Sequence, residues 1–244
     1  LRNLVGAAGG YGWNGAWQVE GNTGSNYRVM DGSLEYPGLV TKGRRAASGT
    51  GTTSGRGLDL ANAFKPWTTN LGGTTYVGKD GTELWMSYVT RLAVTTHTGK
   101  VSFDDSVAVY HDNNGRCRVQ QTAGRWRLSV VNNAIAVTTA VPVVAHSNYL
   151  MVLQFVFNTT DTVRLYINPP LGGVPPALPD AEIAFATNNA SGVDLFRFYE
   201  INWYPCSATN QGWIDEIRFG ASFANVTPTM ARVFTNNNNI AVNG

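Results

Sequence analysis

From Glu83 onward the chain is a succession of strand-length apolar and β-branched runs cut by turn residues. The runs are "ELWMSYVTRLAV", "KVSFDDSVAVYHD", "GRCRVQQ", "RWRLSVV", "AIAVTTAV", "NYLMVLQFVF", "DTVRLYIN", "AEIAFAT", "DLFRFYEINW" and "WIDEIRFG". Between most of them stand "DNNG", "TAG", "NTTD", "NPPLGGVPP" and "NNASG". Short strands at regular spacing with Gly, Asn and Pro turns predict an all-β sandwich or barrel. Helices do not alternate with the strands, so a parallel βαβ sheet is not expected. Residues 1–75 are rich in Gly, Ser, Thr and Asn. There Ala46–Gly57 reads as a loop, and "GRGLDLANAF" holds at most a short helical turn. With no internal repeat and no linker, residues 1–244 read as one domain, of which 236–244 is a loose polar tail.

Composition sharpens the class. Only 14% of the residues are charged, against roughly 25% in an average globular protein. Ser, Thr, Asn and Gly must therefore carry the polar surface, which suits an extracellular or cell-surface setting. A net charge of +2 gives no reason to expect nucleic acid as a partner. The chain has no apolar run of about 18 residues, so no membrane span is expected. Leu1–Gly10 lacks the charged start and apolar core of a secretion signal. Cys117 and Cys206 form either one long-range disulfide or two buried thiols. The sequons at Asn158, Asn189 and Asn225 are about what an Asn- and Thr-rich chain gives by chance.

The adjacent carboxylates Asp215 and Glu216 are the first catalytic candidates. Side chains alternate along a strand. On that pattern Ile214, Glu216 and Arg218 share one face, and Asp215, Ile217 and Phe219 share the other. Carboxylates that cleave a glycosidic bond must face each other across roughly 5–10 Å. The pair therefore reads as structural, and no E-x-D-x-x-E strand occurs elsewhere.

Three stretches carry a family resemblance. "WIDEIRFGASFANVTP" resembles the closing strand of the concanavalin A-like, laminin-G-like jelly rolls of bacterial surface and secreted proteins. "GGYGWNGAW" (Gly9–Trp17) resembles their Gly-Trp opening, and Asn148–Phe185 resembles their paired central strands. The resemblance covers most of the chain and implies an antiparallel β-sandwich of concanavalin A-like jelly-roll type. Lectins, carbohydrate-binding modules, glycosidases and polysaccharide lyases share that superfamily, so the fold does not choose among them. The missing carboxylate strand argues against the glucanase branch. Laminin-G-like domains often carry calcium, which makes calcium a candidate ion. Asp112, Asn113 and Asn114 of "HDNNGR", or the carboxylates of "FDDS", are oxygen-rich, but they lack a regular D-x-D-x-D-G loop. His97, His111 and His146 lie in separate segments without zinc spacing.

The best binding signal is "GRCRVQQTAGRWRLSV", which reads as a hairpin. Alternation puts Arg116, Arg118, Arg125 and Arg127 on one sheet face, with Cys117 and Trp126 on the other. Guanidinium forks match carboxylate and sulfate groups bidentately. Arg197, Tyr199 and Trp203 of "DLFRFYEINW" share one side of another strand and extend the candidate set. The ordinary alternative is a solvated polar face with arginine stems over apolar surface. The first functional expectation is a non-catalytic carbohydrate-binding or adhesion module that meets a polysaccharide, including an acidic one. Two alternatives stand beside it: a self-assembling structural subunit of a surface filament or layer, and a polysaccharide lyase or hydrolase on the same fold. A lyase would need a base beside a group that neutralises the substrate carboxylate, and no spacing assembles one.

Overall fold

A computed structural model of the chain describes residues 2–4, 6–8, 10–20, 28–47, 53–71, 73–95, 100–104, 117–130, 135–186, 200–204 and 212–229. In the first third the strands are β1 (Arg2–Asn3), β2 (Trp13–Glu20), β3 (Arg28–Asp31), β4 (Arg44–Ala47), β5 (Thr53–Leu58), β6 (Thr68–Leu71) and β7 (Thr74–Val77). Next come β8 (Thr82–Leu92), β9 (Lys100–Asp104), β10 (Cys117–Thr122), β11 (Arg125–Val130) and β12 (Ile135–Pro142). The last are β13 (Asn148–Phe157), β14 (Thr160–Ile167), β15 (Ala181–Ala186), β16 (Glu200–Tyr204) and β17 (Gly212–Gly220), followed by the short helix α1 (Phe223–Val226).

Two antiparallel sheets result. One runs β1-β3-β4-β17-β8-β13-β14-β15, the other β12-β11-β10-β9-β16-β5-β2, and β6-β7 form a separate ribbon. Strands far apart in sequence lie side by side: β17 sits between β4 and β8, and β16 between β9 and β5. These crossovers between two sheets give an all-β antiparallel sandwich with jelly-roll connectivity. The main core interleaves both sheets. Leu84, Met86, Tyr88, Met151, Leu153 and Phe155 come from one; Cys117, Val119, Trp126, Leu128, Ile201 and Trp203 come from the other.

The eight-stranded sheet is covered on its second face too. A strap, residues 32–40, crosses that face and buries Leu34 and Leu39 against Trp85, Val89, Leu150, Val152 and Trp213. α1 adds Phe223 and Val226. Ser222 caps the helix by accepting from the Asn225 N–H, and the Phe223 ring meets Trp85 edge-on at 5.5 Å. Apolar contact on both faces explains why β8 and β13 are nearly continuous hydrophobic runs rather than alternating ones.

The first 75 residues hold more strand than their composition predicts. β5 lies inside the segment expected to be a loop, with Gly55 and Gly57 between β2 and β16. The reason is tertiary: a glycine-bearing strand admits close neighbours on both sides, and ladder pairing overrides propensity. After β5 the chain makes a 3₁₀ turn, Lys65–Trp67. Residues 236–244 lie outside the described residues.

Candidate functional site

Strand β17 carries Asp215 and Glu216, and a β-bulge overturns the simple alternation expected for it. The register opposite β8 shifts between Asp215 and Arg218, and Glu216 takes φ +54°. The extra residue resets the pleat. Asp215 pairs with Val89 and Arg218 with Ser87, so both side chains turn to the strap face. The Asp215 carboxylate accepts from the Leu34 N–H at 2.7 Å and the Glu216 N–H at 2.9 Å. Glu216 accepts from the Ser33 hydroxyl and the Lys42 N–H and pairs with Arg218, which also donates to the Val40 carbonyl. Both carboxylates thus bind the strap. Burial pushes the Asp215 carboxyl up to about 6, against the pull of its backbone donors. Burial also lowers the Arg218 guanidinium from its ordinary value, with Glu216 and Asp215 opposing that shift.

With that face covered, the outer face of the seven-stranded sheet is the place to look for a ligand surface. The Ala123-Gly124 turn that joins β10 to β11 has φ +49° and +75°, the left-handed pair that favours a two-residue hairpin. The turn sets the register: Thr122 pairs with Arg125, Gln120 with Arg127, and Arg118 with Ser129. Cys117, Val119, Trp126, Leu128 and Val130 enter the core. Arg118, Arg125 and Arg127 therefore share the opposite face. Two rows cross the sheet there at register positions. One runs Tyr204, Lys100, Gln120, Arg127, Thr138; the other runs Asn202, Ser102, Arg118, Ser129, Ala136. One level further from the turn, Asp104 pairs with Glu200.

Accessibility falls along the face. Arg125 is exposed at the turn, Arg127 is half-buried, Gln120 is nearly covered, and Arg118 is only 2% exposed. Arg125 has a local partner. The β11–β12 register shifts between Arg125 and Arg127, and Arg125 Nη1 donates to the Ala140 carbonyl at 2.6 Å, closing the bulge. Gln120 donates to the Thr122 hydroxyl at 3.5 Å. Arg127, between the sealed and the tied arginine, keeps part of its surface open beside Gln120.

The other expected site residues fall elsewhere. Trp203 turns into the core next to Ile201 and is 3% exposed, so its indole presents no face to a sugar. Arg116, Arg197 and Tyr199 lie outside the described residues, as do His97, His111, Asp112–Asn114 and Cys206. Cys117 is fully buried on the core side. Among the described residues no cluster of three His, Cys, Asp or Glu side chains gathers to hold a metal. No helix of the described residues is long and apolar enough to cross a membrane. Sequence reasoning missed two cation–π contacts, Arg56 over Trp13 at 4.8 Å and Arg91 over Trp213 at 4.7 Å. It also missed the Gln154–Arg164–Glu182 trio across β13, β14 and β15. Opposite-sign residues at paired register positions are a readable signal once the strand pairing is known.

Fold and face together define an antiparallel β-sandwich with one sheet face strapped over and the other polar and arginine-bearing. No protein-family model matches the chain, and no curated protein matches it. Solved structures resemble it distantly. An endo-β-1,4-glucuronan lyase from the fungus Trichoderma reesei superposes with a TM-score of 0.49 at 13% identity, over 89% of this chain and 94% of the lyase. The receptor binding domain of botulinum neurotoxin mosaic serotype C/D gives 0.46 at 7%, over 88% of this chain and 46% of that domain. The serotype D ligand binding domain, in complex with N-acetylneuraminic acid, gives 0.45 at 9%, over 88% and 46%. The chain thus spans about half the length of the neurotoxin domains. At these scores the likeness bears on neither substrate nor activity.

Proposed function

We propose that the chain is a non-catalytic carbohydrate-binding module of the concanavalin A-like, laminin-G-like type, one unit acting outside the cell or at its surface. Its glycan surface is the outer face of the seven-stranded sheet around Gln120, Arg125 and Arg127. One observation carries the reading: the strap occupies the outer face of the eight-stranded sheet, while on the other outer face Arg125 and Thr138 are exposed and Arg127 is half-buried. Polar rows across neighbouring strands suit an extended polymer with repeating hydroxyl and acid groups. Arg127 supplies the charged fork and Thr138 a hydroxyl, with the nearly covered Gln120 amide beside them. Arg118, only 2% exposed, is sealed below and does not touch the polymer. The ligand class is a uronate-containing or sulfated polysaccharide, because a guanidinium matches such groups bidentately. Calcium stays the candidate ion of this reading, with its ligands unassigned: Asp105 and Asp112–Asn114 lie outside the described residues, and Asp104 pairs in register with Glu200.

The test is binding of a polyuronate against a neutral glucan, followed by salt titration. Binding of the anionic polymer weakens as salt screens exposed charges beyond a Debye length of about 8 Å at physiological ionic strength. Arg127→Ala removes one charge-assisted contact worth roughly 1.5–3 kcal/mol, a loss of about tenfold or more in affinity. A neutral glycan bound equally well, with no response to salt or to the substitution, overturns the proposal.

A further inference from the structure

The strap and α1 stop short of one end of the eight-stranded sheet, and a polar cluster stands on its outer face there. Trp85, Gln154, Arg164 and Glu182 form one row across β8, β13, β14 and β15 at paired register positions. Their chain neighbours Leu153 and Leu165 point the other way, into the main core. Tyr166, two residues along from Arg164, shares the outer face and stacks on Trp85 with ring centroids 6.0 Å apart. Glu83, two residues before Trp85, is exposed and accepts from the Trp85 indole N–H. The Arg164 and Glu182 side chains are 32% and 45% exposed, so this end of the face is open.

Internal contacts fix these side chains and still leave polar atoms over. Arg164 Nε pairs with Glu182, and Arg164 Nη1 donates to Gln154 Oε1 at 3.0 Å. A guanidinium cannot accept, so this contact fixes which end of the Gln154 amide is oxygen. Among the described residues the Gln154 amide nitrogen makes no hydrogen bond, and neither does the Tyr166 hydroxyl. Gln154 is 8% exposed and Tyr166 4%, yet neither of these polar atoms is sealed from the surface. Burial raises the Tyr166 hydroxyl from its ordinary value; Arg164 pulls it down, and Glu182 and Glu83 push it up. All three charged groups therefore act on that one oxygen.

A deeply set polar group without a partner costs free energy that a ligand's hydrogen bond recovers. The groups here are mixed in kind. The Gln154 amide nitrogen and Arg164 Nη2 donate, the Glu182 carboxylate accepts, and the Tyr166 hydroxyl does both. Adjacent hydroxyls on one ring, each a donor and an acceptor, match that set. Two carboxylates stand against one guanidinium, so a uronate or sulfate meets like charge and is disfavoured.

We propose that this cluster is a second saccharide site, for a neutral pyranose bound through two adjacent hydroxyls. One hydroxyl donates to Glu182 and accepts from Arg164; the next meets the Tyr166 hydroxyl and the Gln154 amide. The site lies on the opposite sheet from the Arg127 surface and takes a neutral sugar rather than an anionic polymer. Trp85 is only 3% exposed, so no ring face is open for stacking, and hydrogen bonds alone hold the sugar weakly.

Amide shifts of the isotope-labelled full chain, followed as the methyl glycosides of glucose, galactose and mannose are added, test this. At least one sugar gives a saturable shift of the Gln154 side-chain amide, with the Arg164 and Glu182 backbone amides moving alongside. The uronate counterpart of that sugar binds there more weakly. Tyr166→Phe keeps the ring and removes only the hydroxyl, so the melting temperature holds while affinity falls roughly two- to tenfold. Glu182→Gln replaces a charged acceptor by a neutral one and weakens binding as well. No saturable shift with any of the three sugars, a uronate bound as tightly as its neutral parent, or either variant binding like the wild type overturns the proposal. Polyuronate binding on the seven-stranded sheet is unchanged by Tyr166→Phe, so failure at one site is read separately from failure at the other.

Discussion

Replacing Asp215 by Asn should remove a pH dependence that the strap imposes on the fold. Asp215 is 8% exposed, and its carboxyl is raised from 3.8 to about 6 chiefly by burial. A carboxyl whose folded pKa lies above its unfolded value holds its proton more tightly in the native state. Its contribution to stability is fully present below the unfolded value and is lost as pH rises through about 6. A shift of about two units at ~1.36 kcal/mol each corresponds to about 3 kcal/mol between about pH 4 and pH 7. The amide of the D215N variant stays neutral throughout, so that variant lacks this slope while every other titrating group is shared. Urea unfolding of both proteins across that range gives the difference directly. The wild type should lose stability relative to D215N as pH rises. Parallel curves would show that the Leu34 and Glu216 donors balance burial, and a wild type that gains on the variant with rising pH would show that they outweigh it; either result would refute the raised carboxyl.

Other substitutions report on other parts of the molecule. Leu39→Ala empties a fully buried strap position and should cost about 2–5 kcal/mol in denaturant unfolding; a loss below the low end would mean the strap is not packed as described. Gly220→Ala places a Cβ 2.6 Å from the Asn225 Cβ, so α1 must shift, at roughly 1–3 kcal/mol of overpacking strain. An unchanged melting temperature would contradict that close approach. Cys117, fully buried against the core, should resist alkylation in the native protein and react after unfolding, and rapid native labelling would place it elsewhere.

Much of the sandwich was legible because turn chemistry is local. Ala123-Gly124 and the Pro-Gly stretch after Ile167 mark breaks that no strand tolerates, and the structure turns at both. Strand alternation likewise placed Arg118, Arg125 and Arg127 on one face and Cys117 on the other, since the period of two needs no tertiary information. What failed was alternation where the backbone breaks it. Nothing in "WIDEIRFG" announces that Glu216 adopts a positive φ, so the face of Arg218 was read one residue out of phase. Trp203 was read as ligand-facing because a Trp between polar residues looks the same from either side of a sheet. Only the pairing of β16 with β5 and β9 shows that its side is the inner one. The strap was invisible because "GSLEYPGLV" has no period; its two buried leucines gain meaning only from the second face of β8 and β13. The unbroken apolar runs of those two strands were the available signal, since a strand with one wet face alternates.

The central claim is that the outer face of the seven-stranded sheet meets an anionic glycan. Backbone amide shifts of the isotope-labelled protein, followed while an oligouronate is added, test it most directly. The account predicts shifts concentrated at Gln120, Arg125, Arg127 and Thr138, with the strap residues 32–40 unmoved. Shifts confined to the strap, or none on β10–β12 at saturating ligand, would contradict it.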